Sequence, residues 1–345
     1  MTNEIHDKWQ KRYHPLRMEW VVYSAHRNNR PWSFDLKKHQ AEAPAYDPNC
    51  YLCPGNQRAA GHVNPDYHDV FVFDNDFPVV GMQAPDIHEN MHDGLYQKAS
   101  AKGIARVVCY AREHNLTLSD VPPERMARVF EVWREEMVAF AKNPDIHSVL
   151  IFENKGEIVG VSNPHPHCQI YAVDFPLQLI EREQLAARLH KRRTGRNLIA
   201  DIIAAEQKDG LRIVAENDEA LAFVPFFARY AYEVLVFPKK RHATLITLTD
   251  KELRGLAAAY QEVIRRFDGV FNLNFPYVMN IHQAPVDGKK HADYHLYVHF
   301  QPPLRQPGLP KYLAGPEIGA GNFMADTIPE EKAAELRAVR LGIGN

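Results

Sequence analysis

Between Glu153 and Tyr171 the chain reads ENKGEIVGVSNPHPHCQIY. Cys168 to Val173 alternate as a strand does, so His165, His167 and Gln169, two residues apart, point to one face. Three polar side chains on one face do not build a core. An edge strand with a wet face would accommodate them, but it leaves Gly160, Ser162, Asn163 and Pro164 unexplained; these suit a tight loop that exposes backbone N–H groups. The chemistry such residues support is nucleophilic attack at phosphorus. An imidazole kept neutral, with its other N–H fixed by an acceptor, can displace a leaving group and split one substitution into two. Ser162, Gln169 and loop N–H groups would bind the non-bridging oxygens, where charge gathers.

A second chemical signal is Cys50-x-x-Cys53. The spacing can put two thiolates on one ion; a redox pair and two unligated cysteines have the same spacing, although no βαβ context favours the redox pair. Cys109 sits inside an apolar strand pattern and reads as core. Cys168 points away from His167 by strand alternation.

The elements that must position these residues occur twice. RVVCYAREHNLTLSD (Arg106 to Asp120) and EVLVFPKKRHATLITLTD (Glu233 to Asp250) each run from a strand pattern through a charged turn and a histidine, His114 or His242, to a Ser/Thr-Asp helix start. A helix pattern follows each. The first carries Met126, Val129, Phe130, Trp133, Met137 and Phe140 on its apolar face; the second carries Leu253, Leu256, Tyr260, Val263, Ile264 and Phe267. A short strand, an Asn, a Pro-bearing turn and a histidine cluster come next in both. The pattern predicts a duplicated α+β unit of antiparallel strands and one main helix, with a helical connector over Glu181 to Arg196.

Composition sets the background. The chain has 345 residues, 41 Lys and Arg against 43 Asp and Glu, and 18 His. A net charge of −2 gives no bulk attraction for nucleic acid or an anionic membrane. No apolar run reaches the roughly 18 residues of a membrane span, and the N-terminus MTNEIHDKWQ lacks a signal-peptide core. With four cysteines, the expectation is a cytoplasmic protein without a disulfide scaffold.

SNPHPHCQIY resembles the active-site motif of the galactose-1-phosphate uridylyltransferases, a branch of the histidine triad superfamily. The likeness runs along nearly the whole chain: SAHRNNRPW (Ser24 to Trp32), YDPNCYLCPGNQRAAGHVNPDY (Tyr46 to Tyr67), FDNDFP (Phe73 to Pro78), FENKG from Phe152, VPFFARYAYEVLVFPK (Val224 to Lys239) and HFQPPL (His299 to Leu304). It implies duplicated histidine-triad-like units, an α+β fold with an antiparallel half-barrel sheet and flanking helices. It divides the chain at 1–178, with the nucleophile and zinc site, and 179–345, with a sugar-recognition segment. It further implies UMP transfer between UDP-glucose and galactose 1-phosphate, giving UDP-galactose, through uridylylated His167. Gln169 then replaces the third histidine of the hydrolytic relatives; phosphate is a good leaving group, so an amide that only hydrogen-bonds suffices. The alternative is a related nucleotidyltransferase or phosphorylase acting on another nucleoside-diphosphate sugar or a dinucleoside polyphosphate.

The resemblance puts zinc on Cys50, Cys53, His114 and His165. It puts a second metal, iron or zinc, on a Glu and three His, of which Glu183, His282 and His299 match while the fourth falls on Tyr297; His295 and His291 lie nearby. Arg27 and Arg30 become phosphate or uridyl contacts, with the partner's site open to them because relatives are homodimers. Asn75 and Asp76 take the uridine side, though Asn-Asp before Phe-Pro equally suits a turn. Asn154, Gly160 and Val161 lie near the sugar phosphate. Lys311, Tyr312 and Glu317 in KYLAGPE contact the hexose; Pro316 and the following GAGNF depart from the family's commonest pattern.

Overall fold

The computed structural model describes residues 9–25, 43–161 and 163–341. Arg27, Arg30 and Ser162 therefore lie outside the described residues.

The two predicted helices form. α1 (Pro123–Phe140) and α4 (Asp250–Phe271) bury every apolar position named for them above. Their starts differ. Thr249 caps α4 in a reciprocal capping box with Glu252. In the first half the Ser119-Asp120 pair does not start the helix: Thr117, Ser119 and Asp120 close a turn on themselves, and α1 begins at Pro123. Proline supplies a preset φ and lacks only an N–H that would be unpaired there anyway.

Strands β1 (Gln10–His14), β2 (Glu19–Tyr23) and β16 (Met324–Ala325) make a small sheet. Two hairpins stand apart, β4 (His88–Met91) with β5 (Tyr96–Ala99), and β14 (Leu304–Gln306) with β15 (Leu309–Pro310). The remaining nine described strands are β3 (Phe71–Asp74), β6 (Gly103–Cys109), β7 (Ser148–Lys155), β8 (His167–Val173), β9 (Ile213–Glu216), β10 (Ala220–Phe223), β11 (Val234–Pro238), β12 (Tyr277–His282) and β13 (Tyr297–Gln301). They form one antiparallel sheet in the order β3-β6-β8-β7-β12-β13-β11-β10-β9. The order is mirrored about the β7–β12 seam. Each half runs strand, helix, strand, strand, with the last strand inserted between the other two, as a duplication requires.

α1 and α4 cover one face of this sheet and share its main core, which takes Cys168 and Ile170 of β8 and Val298 and Phe300 of β13. Opposite these, the second half is closed by α2 (Gln178–Thr194) and α3 (Leu198–Asp209), whose Ala186, Ala187, Ile199 and Ile202 pack with Phe223, Phe237 and Tyr297. The first half carries His167, Gln169 and Tyr171 on that second face, each only partly buried. Duplication thus leaves two equivalent faces, one roofed by helices and one open to a ligand. α5 (Pro329–Ala338) packs its Ala333 and Leu336 into the main core.

Candidate active site

β8 presents its side chains in strict alternation. Cys168 is buried and accepts from the Trp133 indole N–H at 3.2 Å, so it faces the core as expected. His167 and Gln169, with Phe152 and Asn154 of β7 and Gly160 and Val161 of the preceding turn, line one cleft. Register explains the pairing: Phe152 stands opposite Gln169 across the β7–β8 ladder. The turn Glu157–Val159 is bounded by Gly156 and Gly160 at φ 97° and 83°. A Cβ at Gly156 would also stand 2.8 Å from Pro276, so this bend accepts only glycine.

His167 Nδ1 lies 2.7 Å from the carbonyl of His165. A carbonyl can only accept, so Nδ1 carries the hydrogen and Nε2 keeps its lone pair. Burial lowers the His167 pKa and favours the neutral ring. Gln169 Oε1 accepts from Asn75 Nδ2 and from the Tyr171 hydroxyl, both at 3.2 Å. Those two donors fix the amide, leaving its Nε2–H pair for a ligand. Asn75 also accepts from the Phe77 N–H at 2.9 Å, so the turn role and the site role belong to the same side chain. Asp76 is turned elsewhere: the Ala60 N–H donates to it at 3.2 Å and Arg58 lies 3.6 Å away.

Beneath the strand's entry, Cys50, Cys53, His114 and His165 are all buried, with their ligand atoms within 4.8 Å of one another, a group that can hold a metal ion. Cys53 Sγ is 3.6 Å from both His114 Nδ1 and His165 Nδ1. His165 Nε2 is 3.0 Å from the Ala111 carbonyl, which makes it the N–H and leaves Nδ1 free to coordinate; the Tyr67 hydroxyl sits at 3.0 Å. Asn163 ties the loop to this cluster, donating to Cys50 Sγ at 3.3 Å and accepting from the His165 N–H at 3.0 Å. One residue therefore joins two groups: the His165 ring belongs to the Cys/His group that can hold an ion, and its carbonyl orients His167.

The other expected groups are arranged differently. Lys311 and Glu317 pair with each other at 2.8 Å, and Tyr312 is exposed; none of the three lines the His167 cleft. Glu183 and His282 meet at 2.9 Å, but His299 turns its Nε2 to Glu233 at 2.8 Å. Sequence reasoning missed Phe152 and Tyr171. Tyr171 was detectable, being two residues beyond Gln169 on the same strand face; Phe152 needed the β7–β8 register.

A strand-borne histidine facing an open cleft, on a sheet mirrored by duplication, defines a histidine-triad-like class of fold and site. The N-terminal domain model of galactose-1-phosphate uridyl transferase matches residues 1–176, and the C-terminal domain model matches residues 181–342. The galactose-1-phosphate uridylyltransferase of Haemophilus influenzae is 36% identical over 331 residues, covering 95% of this chain and 94% of that one. That of Saccharomyces cerevisiae is 32% identical, covering 95% and 93%. A solved uridylyltransferase, 30% identical, superposes with a TM-score of 0.77 over 95% of this chain and 97% of its own. An Arabidopsis thaliana ADP-glucose phosphorylase with bound ADP-glucose also reaches 0.77, over 96% of this chain and all of its own, at 21% identity, and shares the fold. The chain belongs to the galactose-1-phosphate uridylyltransferase family of enzymes.

Proposed function

We propose that this chain moves UMP between UDP-glucose and galactose 1-phosphate by a two-step exchange through His167. The observation that carries the reading is the 2.7 Å contact of His167 Nδ1 with the His165 carbonyl, which holds Nε2 as a free nucleophile in the cleft. In the first step Nε2 attacks the α-phosphorus of UDP-glucose. The P–N bond forms as the bond to the bridging oxygen breaks, and that oxygen leaves on glucose 1-phosphate. In the second step a phosphate oxygen of galactose 1-phosphate attacks the uridylyl group and returns the electron pair to Nε2. The Gln169 Nε2–H donors, oriented by Asn75 and Tyr171, stabilise the charge on the non-bridging oxygens. Gln169 cannot exchange a proton, so it does not activate water as a base. Asn154, Gly160 and Val161 form the wall for the sugar phosphate.

Zinc is the ion we assign to the Cys2His2 cluster. Tetrahedral bonds of about 2.3 Å to sulfur and about 2.0–2.1 Å to nitrogen separate the ligand atoms by about 3.6 Å. Both histidine nitrogens stand at that distance from Cys53 Sγ. A closed site of this kind supplies structure; here it anchors His165 and so the carbonyl that sets the His167 tautomer. Homodimer formation, a cytoplasmic location, and phosphate or uridyl contacts from Arg27, Arg30 and Ser162 remain part of the same reading. Among the described residues no helix is long and apolar enough to cross a membrane.

The test is initial-rate kinetics with UDP-glucose and galactose 1-phosphate varied together. Parallel double-reciprocal lines, with exchange of label between UDP-glucose and glucose 1-phosphate in the absence of galactose 1-phosphate, support the two-step route. Intersecting lines without exchange refute it. ADP-glucose with inorganic phosphate is the control, and faster turnover of that pair would move the assignment to a phosphorylase.

A further inference from the structure

The family's second metal would fall at Glu183, His282 and His299, and this chain has rebuilt that point. Glu183 is buried and both of its oxygens are engaged: Oε2 accepts from the Tyr294 hydroxyl at 2.5 Å, and Oε1 accepts from the Tyr297 hydroxyl at 2.7 Å. His282 Nδ1 lies 2.9 Å from the same Oε1 and 3.2 Å from the Tyr297 oxygen. While that bond stands, Nδ1 carries the hydrogen and is not itself a ligand atom. His299 is committed to another acid: its Nε2 donates to Glu233, which also accepts from the backbone N–H groups of Arg229 and Tyr230 at 2.6 and 3.0 Å. Among the described residues, Cys50, Cys53, His114 and His165 are the one group of three or more His, Cys, Asp and Glu ligand atoms lying within 4.8 Å of one another. His299 Nδ1 is a buried atom without a hydrogen-bond partner, but a single nitrogen does not hold an ion whose other ligands are engaged.

Two buried arginines act electrostatically on the same groups. Arg17, at 6% exposure, sits in the turn after β1, with its backbone N–H 3.3 Å from the His14 carbonyl. Its guanidinium charge acts on Glu183, His299, His14, Tyr294 and Tyr297. Arg229 is likewise buried and lies 3.6 Å from Glu19.

We propose that this second centre is metal-free, with the Tyr297 hydroxyl at the missing ligand's position and its hydrogen bond to Glu183 in place of a metal bond. The centre is a clamp. It ties α2, through Glu183, to β12, through His282, and to β13, through Tyr297.

Metal counting tests it. Wild-type protein and the Glu183→Gln variant are loaded anaerobically with Fe(II), or separately with Zn(II), desalted, and analysed by inductively coupled plasma mass spectrometry against protein concentration. The expected result is at most one equivalent per chain, the same in both proteins. Two equivalents in the wild type, with one lost in Glu183→Gln, overturn the proposal. Should Glu183→Gln fail to fold, the wild-type count decides alone, since two tightly held equivalents overturn it. A second variant adds the converse: Tyr297→His restores a ligand, and it gains one equivalent over the wild type.

Discussion

Glu153→Gln changes one atom at the seam between the two halves, and its effect on stability follows from the contacts there. Glu153 lies on β7 with its carboxyl in the main core. The Tyr110 and Tyr260 hydroxyls donate to Oε2 at 3.1 and 3.2 Å, and the Tyr277 hydroxyl donates to Oε1 at 3.2 Å. Burial pushes the pKa from 4.5 to about 7, against the opposing effects of Lys155, two residues along β7, and of the three phenols. Between pH 4.5 and 7 the unfolded chain ionises at this carboxyl while the native state keeps its proton. Stability present below the unfolded value is therefore lost as pH rises to about 7, and the loss is constant above it. At about 1.4 kcal/mol per tenfold difference, it amounts to about 3 kcal/mol. Glutamine is neutral throughout, accepts from two phenols through its oxygen and donates to the third through its amide. Urea unfolding of both proteins at pH 5 and pH 8, with reductant present, reads the difference. The variant should gain about 2.5 kcal/mol on the wild type between the two pH values, since part of the loss has already occurred at pH 5. Parallel behaviour within about 1 kcal/mol would refute the assignment of a protonated core carboxyl.

Other outcomes follow from the site. Cys53→Ser removes a ligand at the centre of the metal cluster; bound metal should fall by one equivalent and turnover by about 10–100-fold, seen by metal analysis beside steady-state assay. Asn75→Ala frees the Gln169 amide to rotate, so kcat/KM should drop about tenfold, the value of one hydrogen bond of about 1.4 kcal/mol, with thermal stability unchanged. Gln169→His supplies an acid and base where an amide stood; free UMP should accumulate from UDP-glucose without acceptor, and a variant inert to water would sink that role.

The strand carrying His167 and the faces of α1 and α4 were legible because periodicity is a local signal, and each buried position lies within a few residues of the next. His165 and His167 showed their common face for the same reason. Their coupling did not show: the link is a backbone carbonyl, which every residue possesses. Glu153 read only as part of a motif, since its three phenols come from the end of β6, from α4 and from β12. Ser119-Asp120 is not the cap of α1, because Ser-Asp serves a turn as well as a cap, and the helix starts at Pro123 beyond it.

The central claim is that His167 Nε2 takes the nucleotide. Protein incubated with UDP-glucose alone, quenched, and measured intact by mass spectrometry should gain one uridylyl group per chain, mapped by peptide fragmentation to His167 and missing from His167→Gly. An unchanged mass in the wild type, or an adduct of equal size in His167→Gly, would contradict it.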